Sequence, residues 1–346
     1  MNKDIYKKIL KDKDVIGSYL KTGTDIETLS TGVVSMNLLY SGRVDGGIPI
    51  GKVSQMAAPS TLGKSFIGLA CLKNAQKKGF TCIVVDTEFA FDFDFAEAIG
   101  IDISKDKLIV IQNNRIEEVQ KMVLGIFDGM ETLQERNNIF VLLDSFGGLV
   151  TSKTEGDAKD GKDVMDMTEA KKKNKFAKLL MGTRGTFFIV NHVYDNIGGF
   201  GDPLSIPGGR GLYFASHCIV LGSSKAKDKD AGEISGALIT CKTQKSRLSK
   251  EHSKIKFRIK HEGGLDIWYG LLDDAMESGV VISPSKGFIS RTHIKDDKKL
   301  REKNIYTKDF WIPIFKETNF KEFLENKYTF KGTSLDIAED DVIGEL

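Results

Sequence analysis

The 346-residue chain has no apolar run long enough to cross a bilayer, and its first residues, Met1-Asn2-Lys3-Asp4, lack the apolar core of a secretory leader. Both absences predict a cytoplasmic protein with no membrane partner. Cysteine is sparse: Cys71, Cys82, Cys218 and Cys241 show no C-x-x-C spacing and lie in apolar segments. That argues against a zinc site or a disulfide framework and for reduced core residues. The five histidines are scattered and offer no metal-ligand spacing. A strong net charge is also missing, at +2 overall, but the balance is uneven. Beyond Lys331 the acids Asp336, Glu339, Asp340, Asp341 and Glu345 face no base, so the rest of the chain carries +2 minus −5, or +7. A basic body with an acidic tail points to an anionic partner and an internal competitor for it, or simply to a solvated terminus.

What the chain does have is Ala58-Pro59-Ser60-Thr61-Leu62-Gly63-Lys64-Ser65, one methyl group short of the phosphate-loop pattern G-x-x-x-x-G-K-S/T. In that pattern consecutive backbone N–H groups cradle phosphates, the lysine reaches the β- and γ-phosphates, and the hydroxyl meets Mg²⁺. Alternating residues before it predict a strand over Lys52–Met56, and Phe66 to Lys78 reads as a helix ended by Gly79. A strand, a loop and a helix N-terminus in that order bind phosphate through free N–H groups and the helix dipole. Ala58 fits provided its φ stays negative, since a Cβ penalises the left-handed region. Gly46 to Lys52 repeats the glycine and lysine spacing, but Val53 follows with no hydroxyl and a strand follows with no helix, so it is a turn.

Thr81–Asp86, Lys107–Ile111, Ile139–Asp144 and Thr186–Asn191 are short, continuously apolar strands, with a long helix expected over Ile116–Asn137. Such strands are buried on both faces, as in a parallel sheet covered by helices. Later strands are expected at His217–Gly222, Ala237–Lys242 and Lys254–Lys260, the last alternating apolar and basic like a sheet edge. The class is α/β, with chemistry expected at the carboxyl ends of the strands. Asp144 ends one strand and suits the acid that organises Mg²⁺. Glu88, just past another, suits a carboxylate that orients or deprotonates the attacking water. His192, after Asn191, could report loss of the γ-phosphate.

Taken together, Glu27-Thr28-Leu29-Ser30-Thr31-Gly32, Asp86-Thr87-Glu88-Phe89-Ala90, Leu143-Asp144-Ser145, Asn191-His192, Pro207-Gly208-Gly209 and Gln244-Lys245-Ser246-Arg247 resemble the RecA family of recombinases, most closely its phage UvsX branch, from about Glu27 to Ser278. The resemblance implies a RecA-like P-loop ATPase core with ATP and Mg²⁺ as cofactors. It implies catalytic roles for Lys64, Glu88, Asp144 and His192, and metal contacts through Ser65 and Asp144. Asp92 matches the position that hydrogen-bonds adenine, and Phe95 the ring that stacks on it. Lys245 and Arg247 match cations that reach a neighbouring protomer's nucleotide. Ala58 departs from RecA and puts tight phosphate binding in question, though UvsX proteins also depart from the strict pattern.

Two glycine-rich stretches, 147–163 and 193–211, match the family's DNA-binding loops. Phe200, Gly208, Gly209 and Arg210 in the second are candidate DNA contacts, since glycines admit backbone to phosphates and an aromatic ring stacks on bases. Between them Met167–Gly182 is expected as an amphipathic helix, Phe176, Leu179 and Leu180 inward and Lys171, Lys172, Lys173, Lys175 and Lys178 outward. Lys171 and Lys172 are candidate phosphate contacts. The expected organisation is a protomer-packing segment (1–25), the ATPase core (26–270), a small C-terminal domain (271–331) whose part from Phe288 to Lys331 is rich in aromatics and expected to be helical, and an acidic disordered tail (332–346). Asp296 to Lys303 is expected as an exposed loop or helix rim.

The function implied is ATP-dependent strand exchange. A helical homo-oligomeric filament would form on single-stranded DNA and pair it with homologous duplex DNA, in the host cytoplasm if the chain is phage-encoded. A mediator and a single-strand-binding protein would be its companions. A ring helicase on the same core is the alternative, although ~25 residues leave no room for an N-terminal domain. A catalytically weak paralogue that regulates a recombinase is a second alternative, with Ala58 its only support.

Overall fold

The computed structural model describes residues 26–160, 167–195, 204–206, 209–230 and 232–330. The expectations for the N-terminal segment and the acidic tail lie outside the described residues. Helix α1 (Val34–Ser41) is buried along its length and stops at Gly42, where φ is 73°. Strand β1 (Val53–Ala57) leads into α2 (Lys64–Lys77), β2 (Thr81–Asp86), α3 (Phe93–Ala98), β3 (Leu108–Gln112), α4 (Ile116–Gly125) and α5 (Leu133–Asn137). Then come β4 (Ile139–Asp144), α6 (Ser152–Lys159), α7 (Met167–Thr183), β5 (Thr186–Asn191) and α8 (Gly209–Ala215). Two long strands, β6 (Ser216–Asp230) and β7 (Glu233–Ser246), precede β8 (Lys254–Lys260) and the short β9 (Gly264–Leu265).

These strands form one sheet in the order β9-β8-β7-β6-β1-β5-β4-β2-β3. It is parallel from β6 to β3 and antiparallel from β6 to β9. The apolar runs are continuous because both faces are covered. In β4, Phe140 and Leu142 join Ile67 and Leu72 of α2, while Val141 and Leu143 join Val119 of α4 and Phe176 and Leu180 of α7 on the other side. Each such side chain, taken fully from water, contributes roughly 1.5–3 kcal/mol. Register brings Asp86 opposite Asp144 and Ala57 opposite Asn191, so the polar strand ends share one edge.

Six expectations need correction. The helix over Ile116–Asn137 is two helices: α4 ends at Gly125, Gly129 takes a φ of 78°, and Thr132 restarts the chain with a capping box to Glu135. Two orphan N–H donors satisfied at once make a strong helix start. The stretch 147–163 is not irregular throughout, because α6 forms inside it; Thr151 caps it by accepting from Thr154 N at 3.0 Å, and Arg115 grips Glu155 at 2.7 and 3.0 Å. Lys173 is not outward: it is buried, bridging Glu169 at 2.8 Å and the Gly147 carbonyl at 3.2 Å. The C-terminal region is not purely helical. It holds a three-stranded sheet of β10 (Val281–Ser285), β11 (Phe288–Arg291) and β12 (Leu300–Arg301), followed by α9 (Lys308–Glu317) and α10 (Phe320–Tyr328).

The strand β12 also replaces part of the loop expected at Asp296 to Lys303, where Asp297 is tied to Arg291 at 2.8 Å. Strand β8 is not the edge along its whole length, since β9 pairs with Ile259 and Lys260. Phe310, Trp311, Ile314, Phe320 and Leu324 pack into the same core as α1 and α2.

Candidate active site

Ala58 sits in the loop because the positive φ values fall elsewhere, at Thr61 (64°) and Gly63 (72°), and not at residue 58. Its N–H donates to the Asn191 carbonyl at 3.2 Å, fastening the loop to the end of β5. The methyl group is accommodated by Gly222 of β6: a Cβ there would lie 2.8 Å from that of Ala58. Leu62 is buried beneath the loop, whereas Ser60 and Thr61 are exposed at its crest. Gly63 is the N-cap of α2, so the free N–H groups at the start of this 14-residue helix face the loop.

Lys64 is 6% exposed and donates to the Pro59 carbonyl at 2.8 Å. Burial holds its ammonium below the ordinary lysine range, with Asp144 and Glu88 pulling the other way. Asp144 is pushed up to about 6, first by burial and then by the Glu88 charge, opposed by Ser65 and Lys64. A buried carboxylate of raised pKa beside a hydroxyl at a helix N-terminus is a donor set suited to a hard divalent cation, whose charge would favour the ionised form.

Glu88 accepts or shares a hydrogen bond with His192 Nε2 at 2.9 Å. Burial raises its pKa, but hydrogen bonds from His192 and Ser145, with the Lys64 charge, leave it below the usual carboxylate range. A residue unremarked in the sequence shapes this turn. The Asp86 carboxylate accepts from the N–H groups of Glu88, Ala90 and Phe91 (3.2, 3.2 and 2.9 Å) and from Gln112 Nε2 at 3.1 Å. A strand-end Asp followed two residues later by a carboxylate was the available signal. Thr87 Oγ1 meets both the N–H (2.8 Å) and the carbonyl (2.7 Å) of Ser145, clasping the ends of β2 and β4 together.

A cavity of about 380 Å³ joins these groups, lined by Thr61–Phe66, Asp86, Glu88, Asp92, Phe95 and Asp144. At its outer end Phe95, 42% exposed, lies against Phe66 with ring centroids 5.6 Å apart. The Asp92 carboxylate is engaged as the N-cap of α3, accepting from Phe95 N at 2.9 Å. The void thus runs from a phosphate-type loop to a stackable ring, which fits a nucleotide with its Mg²⁺.

The remaining candidates lie elsewhere. Lys245 and Arg247 are at the opposite edge of the sheet, near the amino ends of β1 and β5. Lys245 Nζ donates to the carbonyls of Tyr213 (2.7 Å) and Ser216 (2.8 Å), at the end of α8. Lys171 is exposed, but Lys172 already pairs with Glu117 at 2.5 Å. Gly209 and Arg210 open α8, with Arg210 exposed; Phe200 and Gly208 lie outside the described residues.

Comparison with known proteins gives two family matches: the RecA N-terminal domain over residues 3–266, and the C-terminal domain of the bacteriophage T4 recombination and repair protein over residues 268–324. The chain is similar to the recombination and repair protein of Enterobacteria phage T4, at 26% identity over 316 residues, 87% of this chain and 79% of that one. It is 30% identical to the RecA protein of Chlorobaculum parvum over 276 residues, 77% of this chain and 76% of that one. With the RecA protein of Rhodopirellula baltica the identity is 28% over 262 residues, 74% of this chain and 66% of that one.

Proposed function

The chain belongs to the RecA family and is a DNA-dependent ATPase of recombination and repair that binds single-stranded DNA and forms filaments; on that premise we propose how its own residues divide the work. The observation that carries the proposal is the convergence of Lys64, Asp144 and Glu88 on one cavity at the carboxyl ends of adjoining parallel strands, with His192 bonded to Glu88. The loop N–H groups and Lys64 hold the phosphates of ATP, while Asp92 and Phe95 border its base. Ser65 and Asp144 would hold Mg²⁺, which would supply positive charge to offset that of the phosphates. Glu88, ionised at neutral pH, orients the attacking water and takes up its proton.

His192 bonds Glu88 and immediately precedes the 193–211 stretch, so presence or loss of the γ-phosphate changes what the imidazole holds and is passed to that loop. Arg247, turned away from its own chain's cavity, serves a neighbour's nucleotide, and Lys245 does so on leaving the end of α8. The 147–163 and 193–211 stretches, with Arg210 and Lys171, hold single-stranded DNA for pairing with a homologous duplex in the cytoplasm. A mediator and a single-strand-binding protein would attend that filament. The helicase and regulator alternatives gain no support from recombination and repair relatives and a site that retains Lys64, Ser65, Glu88 and Asp144.

Glu88→Gln tests the assignment. Steady-state hydrolysis on single-stranded DNA should fall by roughly 10²–10⁴-fold while nucleotide affinity stays within a few-fold. Turnover close to that of the parent chain would remove Glu88 from the water-activating role.

A further inference from the structure

The turn Gly46–Lys52 fails as a phosphate loop, yet its lysine lines a second cavity. This void of about 320 Å³ opens at the amino ends of β1, β5 and β6, the opposite edge of the sheet from the first, and Lys52, Arg184, Phe214, His217 and Arg247 border it. No carboxylate lines it. Among the described residues, the side chains of Lys52, Arg184 and Arg247 have no hydrogen-bond or ion-pair partner. Their charges act on one another. Burial, then Arg184 and Arg247, hold Lys52 below its ordinary range. Burial, then Lys52, Arg247 and Lys245, push His217 down to about 4.

His217 is 9% exposed, and its Nε2 is buried without a partner. A buried ring nitrogen with no partner normally costs free energy, as does the approach of like charges to half-buried Lys52, while Arg184 and Arg247 are exposed at the rim of the void. An anion in the cavity relieves both. Guanidinium forks and an ammonium around one void match the paired oxygens of a phosphate better than a single carboxylate.

We propose that Lys52, Arg184, His217 and Arg247 form a second oxyanion site that takes a phosphate chain, separate from the phosphate loop of the same subunit. Its source is either free pyrophosphate or the terminal phosphates of a nucleotide carried by a neighbouring copy. The second source rests on the reading above and adds Lys52, Arg184 and His217 to the cations that serve that nucleotide.

The test uses the full chain labelled at its five histidines, with ADP saturating the phosphate loop in the pyrophosphate titration alone and the His217 ring resonance assigned from its loss in His217→Asn. In one arm pyrophosphate is titrated; in the other, single-stranded DNA and a non-hydrolysable ATP analogue assemble the subunits. A saturable shift of the His217 resonance is expected, weakened on the order of tenfold or more in Lys52→Ala/Arg184→Ala, a double variant that still binds nucleotide at its own loop. The arm that shows the shift identifies the source. A resonance that moves in neither arm, or moves equally in the double variant, overturns the site. A negative result here alongside successful complementation of Lys64→Ala by Arg247→Ala discards this site alone and leaves the shared nucleotide site standing.

Discussion

Replacing Gly222 by Ala should disable the phosphate loop from outside it. The added Cβ would stand 2.8 Å from Ala58 Cβ and 3.4 Å from Leu62 Cδ2. Ala58 and Leu62 are at 0% and 6% exposure, so neither side has room to give without moving the loop or β6. Overpacking of this kind costs about 1–3 kcal/mol, or a fall in Tm of roughly 1–4 °C for a chain of this size. Because the strain falls on the loop, nucleotide affinity should drop as well. Ala58→Gly removes the methyl group that Gly222→Ala would strike, so the double variant should recover most of both losses. The pair should show a coupling of about 1–2 kcal/mol in a double-mutant cycle. Thermal melts and titration with a fluorescent nucleotide read the two effects. A neutral Gly222→Ala, or a double variant no better than the single, would refute the account of how this chain tolerates Ala58.

Two further outcomes follow from charge. Asp144 has a folded-state pKa of about 6 against 3.8 ordinarily, so the folded state binds the extra proton and stability falls as pH rises from about 4 to 6. Two pKa units correspond to roughly 3 kcal/mol at most; Asp144→Asn should therefore melt higher than the parent without nucleotide at pH 7.5, converge with it near pH 4, and hydrolyse no ATP. Deleting 335–346, which removes all five tail acids, should tighten binding to labelled duplex DNA at low salt, the gain shrinking as ionic strength rises. Equal affinities of full-length and truncated protein at low salt would leave the tail without a competing role.

The parts legible in the sequence are those whose cause is local or periodic. A run such as Ile139–Leu143 reports two covered faces by itself, and the loop Ala58 to Ser65 announces its own strand and helix. Helix α6 was not legible because it depends on Arg115, 40 residues before its partner Glu155. Lys173 looked like one more outward lysine until the carbonyl of Gly147 and the carboxylate of Glu169 were brought to it by the turn after β4. The role of Asp86 was hidden because its four donors come from a turn and from the neighbouring strand, an arrangement that only sheet register creates. The cavity around His217 has the same origin: Lys52, Arg184 and Arg247 are far apart in sequence and meet only at one edge of the sheet.

Mixing subunits tests the central claim most directly, that each site is completed by a neighbour. Lys64→Ala and Arg247→Ala chains are each expected to be inactive in DNA-stimulated ATP hydrolysis. Combined in equal amounts in a head-to-tail assembly, roughly a quarter of the interfaces should join an intact phosphate loop to an intact Arg247. The account predicts regained hydrolysis that peaks near the equal mixture. Co-assembly of the two variants with no regained activity at any ratio would contradict it.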